Sequence, residues 1–348
     1  MQDPAIDILG LTSEEFVRCA QARGVHRPAA LAAYRQSMRD GLSSLGWAAP
    51  EVHPVTRIRR EDGAIKFVMR HGDGLETESV ILPIRSIQGR QRNTLCVSSQ
   101  IGCAMGCTFC ETAQMGLMKN LTASQIVAQW HAARFRIGAG ITNIVFMGMG
   151  EPMDNLDAVI QAIAVFTDQN GPAIPPARIS VSTVGLTEGI ERLARLARQS
   201  GYHKLRLAVS VNAPNDVIRS QIMPINRSTP LARLMDAMLL WPTTGKSRVL
   251  IEYVVIPGVN DAPEHARELC EYLRPLRCTV NVIPYNPRRN SPWPAPTERS
   301  IRCFIQAIHD SGQFVKRRQT LGRNVMAACG QLGNPTIRGR KQLNVALG

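Results

Sequence analysis

The sequence predicts an α/β fold, a partial (β/α)6 barrel with a small helical amino-terminal appendage, a β-hairpin and a carboxy-terminal extension. Three observations predict it. From Thr94 onward six apolar, strand-like runs alternate with helical periods, at separations too long for hairpins and right for parallel βα units. The 348 residues suffice for one large domain of this kind plus an appendage, and 44% apolar content supplies a core without disulfide staples. Only 20% of residues are charged, which excludes a disordered polymer. A doubly wound sheet satisfies the same periodicity, so pattern alone leaves these two architectures open.

The elements follow in chain order. Residues 11–45 read as short helices, with Thr12 or Ser13 as N-cap before Glu14 and Glu15, and a second apolar period over 29–45. Alternating runs at 64–70 and 76–82 flank His71-Gly72-Asp73-Gly74, whose glycines suit a hairpin turn. Strands are expected at 94–98, 143–147, 178–183, 204–211, 248–256 and 279–285. Helices are expected at 123–137, opened by a Thr122/Gln125 capping box, and at 156–167, 186–199, 231–240 and 263–273. Residues 297–348 hold a further helix, a basic strand at 314–319 and a loop carrying Cys329. The expected division is an appendage with hairpin at 1–88, a core at 89–318 and a terminal segment at 319–348.

Forty-one Lys and Arg against 27 Asp and Glu leave a formal charge of +14, which favours a polyanionic partner. The cations gather in patches: Arg57, Arg59 and Arg60; Arg85, Arg90 and Arg92; Arg288 and Arg289; Lys316, Arg317 and Arg318; Arg338, Arg340 and Lys341. Singly each reads as a solvated face; together they favour RNA or DNA. With Phe 8, Tyr 5 and Trp 4, stacking surfaces are scarce, so binding should rest on phosphate contacts and fall steeply with salt. The first residues lack the features of a secretory leader and no run is long enough to span a membrane, so a cytoplasmic protein is expected.

Nine cysteines without a secretion signal point to metal or catalysis rather than a disulfide framework. Cys103, Cys107 and Cys110 form C-x3-C-x2-C directly after the first expected barrel strand. Structural zinc takes four protein ligands, and none completes the set nearby. Three thiolates on a four-iron cluster would leave one iron open to a small molecule. This spacing, with Phe109 before the third cysteine, resembles the signature of radical S-adenosylmethionine (SAM) enzymes, in which the open iron chelates SAM. A zinc knuckle completed by a remote ligand is the competing reading.

Further blocks resemble the RlmN/Cfr family of RNA adenine methyltransferases. They are the run from Thr94 through Cys96-Val97-Ser98-Ser99-Gln100 to Cys103, then Lys119-Asn120-Leu121-Thr122, Gly148-Met149-Gly150-Glu151-Pro152, and Ala327-Ala328-Cys329-Gly330-Gln331-Leu332. The resemblance runs from about Glu78 to Leu332 and implies a radical-SAM barrel with one [4Fe-4S] cluster on Cys103, Cys107 and Cys110. It implies two SAM molecules per turnover: one methylates Cys329, and the other yields a 5′-deoxyadenosyl radical that turns the thiomethyl group into an adenine-attacking methylene. Cys96 would release the adduct through a transient Cys96–Cys329 disulfide, and Glu78 would remove the ring proton, with Glu76 a rival.

A SAM pocket is expected where strands end. Gly150 and Glu151, Ser182, and Ser210, Val211 and Asn212 stand at the ends of the second, third and fourth expected strands and Asn286 follows the sixth, where hydroxyls, amides and a carboxylate can hold ribose, carboxylate and ammonium. The implied substrate is 23S rRNA, with tRNA as a second, methylated at adenine C2; the implied reductant is a cytosolic donor such as flavodoxin, and the enzyme would act as a monomer. The chain departs from the family at Glu111, at Asn212 where histidine is usual, at Arg323-Asn324-Val325-Met326 in place of an acidic segment, and in an extra loop holding Gln88, Gly89 and Arg90. These departures keep open a C8-directed activity of the Cfr type. A non-catalytic, zinc-stabilised RNA-binding protein is the alternative from another class.

Overall fold

The computed structural model describes residues 6–41, 48–85, 91–243, 245 and 247–334. The expected loop at Gln88, Gly89 and Arg90, the end of the second helical period and the Arg338, Arg340 and Lys341 patch lie outside the described residues.

Ten strands form one sheet in which every strand lies beside its predecessor in sequence. The first four are β1 (Val55–Glu61), β2 (Ala64–Arg70), β3 (Glu76–Arg85) and β4 (Gln91–Cys96), joined antiparallel. From β4 the pairing becomes parallel through β5 (Ile141–Phe146), β6 (Ile179–Thr183), β7 (Arg206–Ser210), β8 (Val249–Val255), β9 (Cys278–Pro284) and β10 (Val315–Arg317). The parallel half is the expected open barrel. Its crossovers are helical, as parallel neighbours require.

The helices are α1 (Ser13–Gln21) and α2 (Arg27–Asp40) in the appendage, then α3 (Ala123–Phe135), α4 (Leu156–Thr167), α5 (Thr187–Ala197), α6 (Asp216–Ile222), α7 (Leu231–Leu239), α8 (Pro263–Leu273) and α9 (Glu298–Asp310). Thr122 with Gln125 makes the reciprocal capping box that sequence spacing predicts, and Thr12, one of the two expected N-caps, makes another with Glu15. Central strands such as Val249–Val255 are largely buried on both faces and read as apolar runs, here interrupted by Glu252. Apolar side chains of the appendage, Phe16 and Tyr34 among them, join the same buried cluster as the barrel.

Two of the departures from expectation bear on the cavities. The hairpin has a third member, β1, which its arginines concealed: this edge strand carries Arg57 and Arg59 on one face and Ile58 and Arg60 on the other, so its alternation is not apolar against polar. Helix α6 spans only seven residues and is stabilised by its Asn215 cap, too short a segment for an apolar period to register.

Candidate active site

The carboxyl ends of the parallel strands open on one side of the barrel, and the loops that follow them build a cavity of about 170 Å³. After β4 the chain runs through Val97-Ser98-Ser99-Gln100 into a small antiparallel pair, Gln100–Gly102 with Leu117–Asn120, which brackets the cysteine loop. This run is tied down by buried polar groups. The Gln129 amide of α3 both accepts from the Ser98 N–H and donates to its carbonyl, at 2.8 Å each. Ser98 Oγ donates to the Glu78 carbonyl and accepts from Met149 N, and Gln100 Oε1 accepts from Glu151 N. All these partners are satisfied, so the network fixes the loop after β5 against the cysteine loop. Gly148 and Gly150 permit that approach: a Cβ would lie 2.6 Å from the Val97 carbonyl oxygen at the first and 2.5 Å from Gln100 Cβ at the second, where φ is +96°.

Cys103, Cys107 and Cys110 all line this cavity. Burial pushes their three thiols up, and neighbouring sulfurs add to the rise at Cys103 and Cys107. A cationic centre reverses that preference and holds them as thiolates. Among the described residues no three His, Cys, Asp or Glu side chains gather closely enough to grip a single metal ion. Three sulfurs on one loop fit a cluster, which takes each on a different iron. The loop itself is held by backbone: Cys103 N donates to Gly116 O, and Thr108 N to Ile222 O at the end of α6.

Arg219 on α6, fully buried and outside every sequence expectation, locks the neighbouring strand ends. Its guanidinium donates to the carbonyls of Val184, Ser210, Val211 and Thr229 and to Asn226 Oδ1. One side chain thereby fixes the loops after β6 and β7.

The opposite wall is the terminal loop that carries Cys329. Glu111 N donates to Gly330 O at 2.7 Å and Thr112 Oγ1 to Leu332 O at 2.6 Å, so the residues just after Cys110 hold the loop bearing Cys329. The unusual Glu111 has a structural role: its carboxylate accepts from Arg289 N and pairs with the Arg289 guanidinium at 3.3 Å. Cys96, at the end of β4, lines the same cavity. Burial, then the neighbouring Cys329 charge, pushes the Cys96 thiol up to about 12, against the pull of Arg318. Arg318, which the sequence shows as one member of a basic run, turns inward from the edge of β10 while Arg317 turns out to Glu298. The charge of Cys329 is the largest cause raising the pKa of Arg318, followed in that direction by Glu252 and Cys96; Glu252 Oε2 lies 3.6 Å away. The expected Cys96–Cys329 disulfide is not formed, and all nine cysteines are free. The two sulfurs belong to different walls, one on the sheet and one on the terminal loop.

Of the expected SAM ligands, Gly150, Glu151, Ser182, Ser210 and Asn212 line this cavity. Burial raises the Glu151 carboxyl to about 7, while hydrogen bonds from Val184 N, Thr183 and Met153 N oppose the rise. Asn212 adopts φ +57°, a left-handed conformation that asparagine tolerates, and its Oδ1 accepts from Val254 N to strap β7 to β8. Val211 is fully buried in the core and does not line the cavity. Asn286 lines a smaller adjoining space shared with Arg318 and Cys329, where it accepts from Arg323. Glu78 faces a separate cavity, in a 2.7 Å ion pair with Lys66. Glu76 is held by Arg57 and Arg70.

The open parallel sheet with three cavity-lining cysteines after its first barrel strand defines a radical SAM enzyme, and the Radical SAM superfamily profile matches residues 97–270. The probable dual-specificity RNA methyltransferase RlmN 1 of Protochlamydia amoebophila is 38% identical over 98% of this chain and 98% of that relative. The dual-specificity RNA methyltransferase RlmN of Halorhodospira halophila is 44% identical over 78% of this chain and 73% of its own length. The crystal structure of a radical SAM methyltransferase from Sphaerobacter thermophilus superposes with a TM-score of 0.86 at 36% identity, covering 94% of this chain and 98% of that one. The chain belongs to the RlmN/Cfr family of radical SAM RNA methyltransferases. Among the described residues no helix is long and apolar enough to cross a membrane.

Proposed function

We propose that this chain methylates C2 of adenine in 23S rRNA and in tRNA, using one [4Fe-4S] cluster, two SAM molecules per turnover and a cytosolic electron donor such as flavodoxin, and that it acts as a cytoplasmic monomer. The observation that carries the reading is that Cys329 and Cys96 line the same cavity as Cys103, Cys107 and Cys110. When bound, the cluster and SAM supply a methyl group, an electron and a hydrogen-abstracting carbon radical, which an electron-poor amidine carbon requires because it does not attack a sulfonium methyl directly.

This chain's residues do the rest. Cys103, Cys107 and Cys110 hold the cluster, and the oxygens of Glu151 retain lone pairs for the SAM ammonium beyond those used by Met153 N and Val184 N. Ser182 and Ser210 offer hydroxyls beside it. Arg318 keeps a positive charge beside Cys329, the sulfur that accepts a methyl group. Cys329 delivers the methyl carbon to the base; Cys96 then attacks Cys329 sulfur, forming a transient Cys96–Cys329 disulfide as the sulfur–carbon bond breaks and the carbon takes a proton, and a cytosolic thiol reductant reopens the disulfide.

Glu151→Gln is expected to weaken SAM binding to the reconstituted enzyme by about 10- to 100-fold while iron content stays unchanged, because a charge-assisted hydrogen bond is lost. Equilibrium dialysis measures this, and unchanged affinity contradicts the assignment. Arg318→Gln is expected to slow methyl loading of Cys329 about tenfold in anaerobic incubations without RNA, with Arg318→Lys recovering part of the rate. Equal rates in all three proteins contradict it. The proposal as a whole is tested by methylating unmodified 23S rRNA and tRNA and resolving 2-methyladenosine from 8-methyladenosine by chromatography and mass spectrometry. Label at C8 contradicts the C2 assignment.

A further inference from the structure

Beside the main cavity lies a second one of about 90 Å³ whose lining carries four cations, Arg57, Arg59, Lys66 and Arg289, and one carboxylate, Glu78. The charges are unequally answered. Lys66 pairs with Glu78 at 2.7 Å and also donates to Met326 O; Arg57 pairs with Glu76 at 2.6 Å, and Arg289 with Glu111 at 3.3 Å. Among the described residues Arg59 has no carboxylate partner. In the sheet register it stands directly opposite Lys66, on the same face, a like-charge pairing that costs stability unless an anion lies between the two. Burial lowers the pKa of the Lys66 ammonium, and the charges of Arg289 and Arg59 lower it further, against the pull of Glu78.

The terminal loop is the wall between the two cavities. Val325, Met326 and Gly333 line the second, whereas Ala327, Ala328 and Cys329 line the first. Gly333 N donates to Glu78, which anchors the wall to β3. A group in the second cavity is therefore separated from the one presented to Cys329 by the thickness of one loop, the kind of separation that lies between a nucleotide base and a backbone phosphate near it. The volume exceeds that of a few waters, leaving room for a tetrahedral oxyanion. Guanidinium forks match such an anion bidentately, and phosphate contacts set the register of a bound strand without reading its sequence.

We propose that this second cavity is a phosphodiester pocket, which grips the RNA backbone beside the adenosine presented to Cys329, with Arg59 as its uncommitted cation. The inference rests on the RNA-methylation reading of the main cavity.

The test measures binding of an unmodified tRNA transcript across a salt series, comparing wild type, Arg59→Gln and Arg195→Gln, the last removing an exposed cation of α5 that lines neither cavity. Arg59→Gln is expected to weaken binding about tenfold and to reduce the slope of log affinity against log salt by about one, with Cys329 methyl loading in the absence of RNA unchanged. A single methylphosphonate walked along the phosphates around the target adenosine should cost wild type affinity at one position where Arg59→Gln loses nothing further. The proposal is overturned if Arg59→Gln matches Arg195→Gln, if the two losses add at every position, or if wild type binds inorganic phosphate in a way that Arg59→Gln abolishes while RNA affinity stays the same. Should the salt slope drop as expected while no adenosine is methylated, the pocket stands and the chemical reading of the main cavity fails. Methylation with an unaltered slope gives the reverse.

Discussion

Replacing any one of Cys103, Cys107 or Cys110 with alanine is expected to yield a folded, colourless protein that retains little iron and cleaves no SAM. Loss of a group merely supporting a metal ligand costs about 10- to 100-fold in metal affinity, so loss of a ligand itself costs more. The fold should survive because the loop is fixed by main-chain bonds, Cys103 N to Gly116 O, Thr108 N to Ile222 O and Glu111 N to Gly330 O, rather than by the sulfurs. A deleted thiol should cost about 1 kcal/mol. Iron assay, visible absorbance and circular dichroism on anaerobically purified protein check this. A brown, SAM-cleaving Cys107→Ala protein would remove the cluster assignment.

Cys96→Ala is expected to stop turnover after about one methyl group per chain, with RNA left covalently attached to Cys329. In the proposed mechanism a second sulfur attacks the linkage to release that RNA, and Cys96 lines the cavity with Cys329. Its thiol, raised to about 12 by burial and by the neighbouring Cys329 charge, is protonated at neutral pH in the resting protein. The charge of Arg318 opposes that rise. Denaturing gels of anaerobic reactions detect the adduct, and multiple turnovers by Cys96→Ala contradict the role.

The barrel was legible because its strands are largely buried and rich in apolar residues, as at Val249–Val255 where Glu252 alone interrupts the run, while Thr122 and Gln125 marked a helix start by chemistry alone. The cysteine loop and the glycine pair at Gly148 and Gly150 were legible through their spacing. The glycines, though, serve contact with Val97, Ser98 and Gln100, a tertiary demand that spacing does not encode. What stayed hidden were groups whose role depends on which way a side chain turns. Arg317 and Arg318 are adjacent cations in sequence, yet strand alternation sends one to Glu298 and the other into the cavity. Arg219 stayed hidden because its helix is too short to register in the sequence and its partners are carbonyls from three separate loops. Glu78, Lys66 and Arg59 meet only through the register of β1, β2 and β3, and β1 was itself obscured by its arginines. The usual acidic segment is missing before Ala327; there Glu61 of β1 supplies a carboxylate, accepting from Asn324 N at 2.9 Å and from Val325 N at 3.3 Å.

The most direct measurement follows a labelled methyl group from SAM through Cys329 to RNA. Reconstituted wild type and Cys329→Ala proteins, matched for iron content, are incubated anaerobically with methyl-labelled SAM, a low-potential reductant and unmodified rRNA or tRNA, then digested and analysed by mass spectrometry. Label on the Cys329 peptide and at an adenine ring carbon in wild type, with neither in the variant, is the predicted result. Ring-carbon label made by Cys329→Ala, or none made by wild type with an intact cluster, would contradict the account.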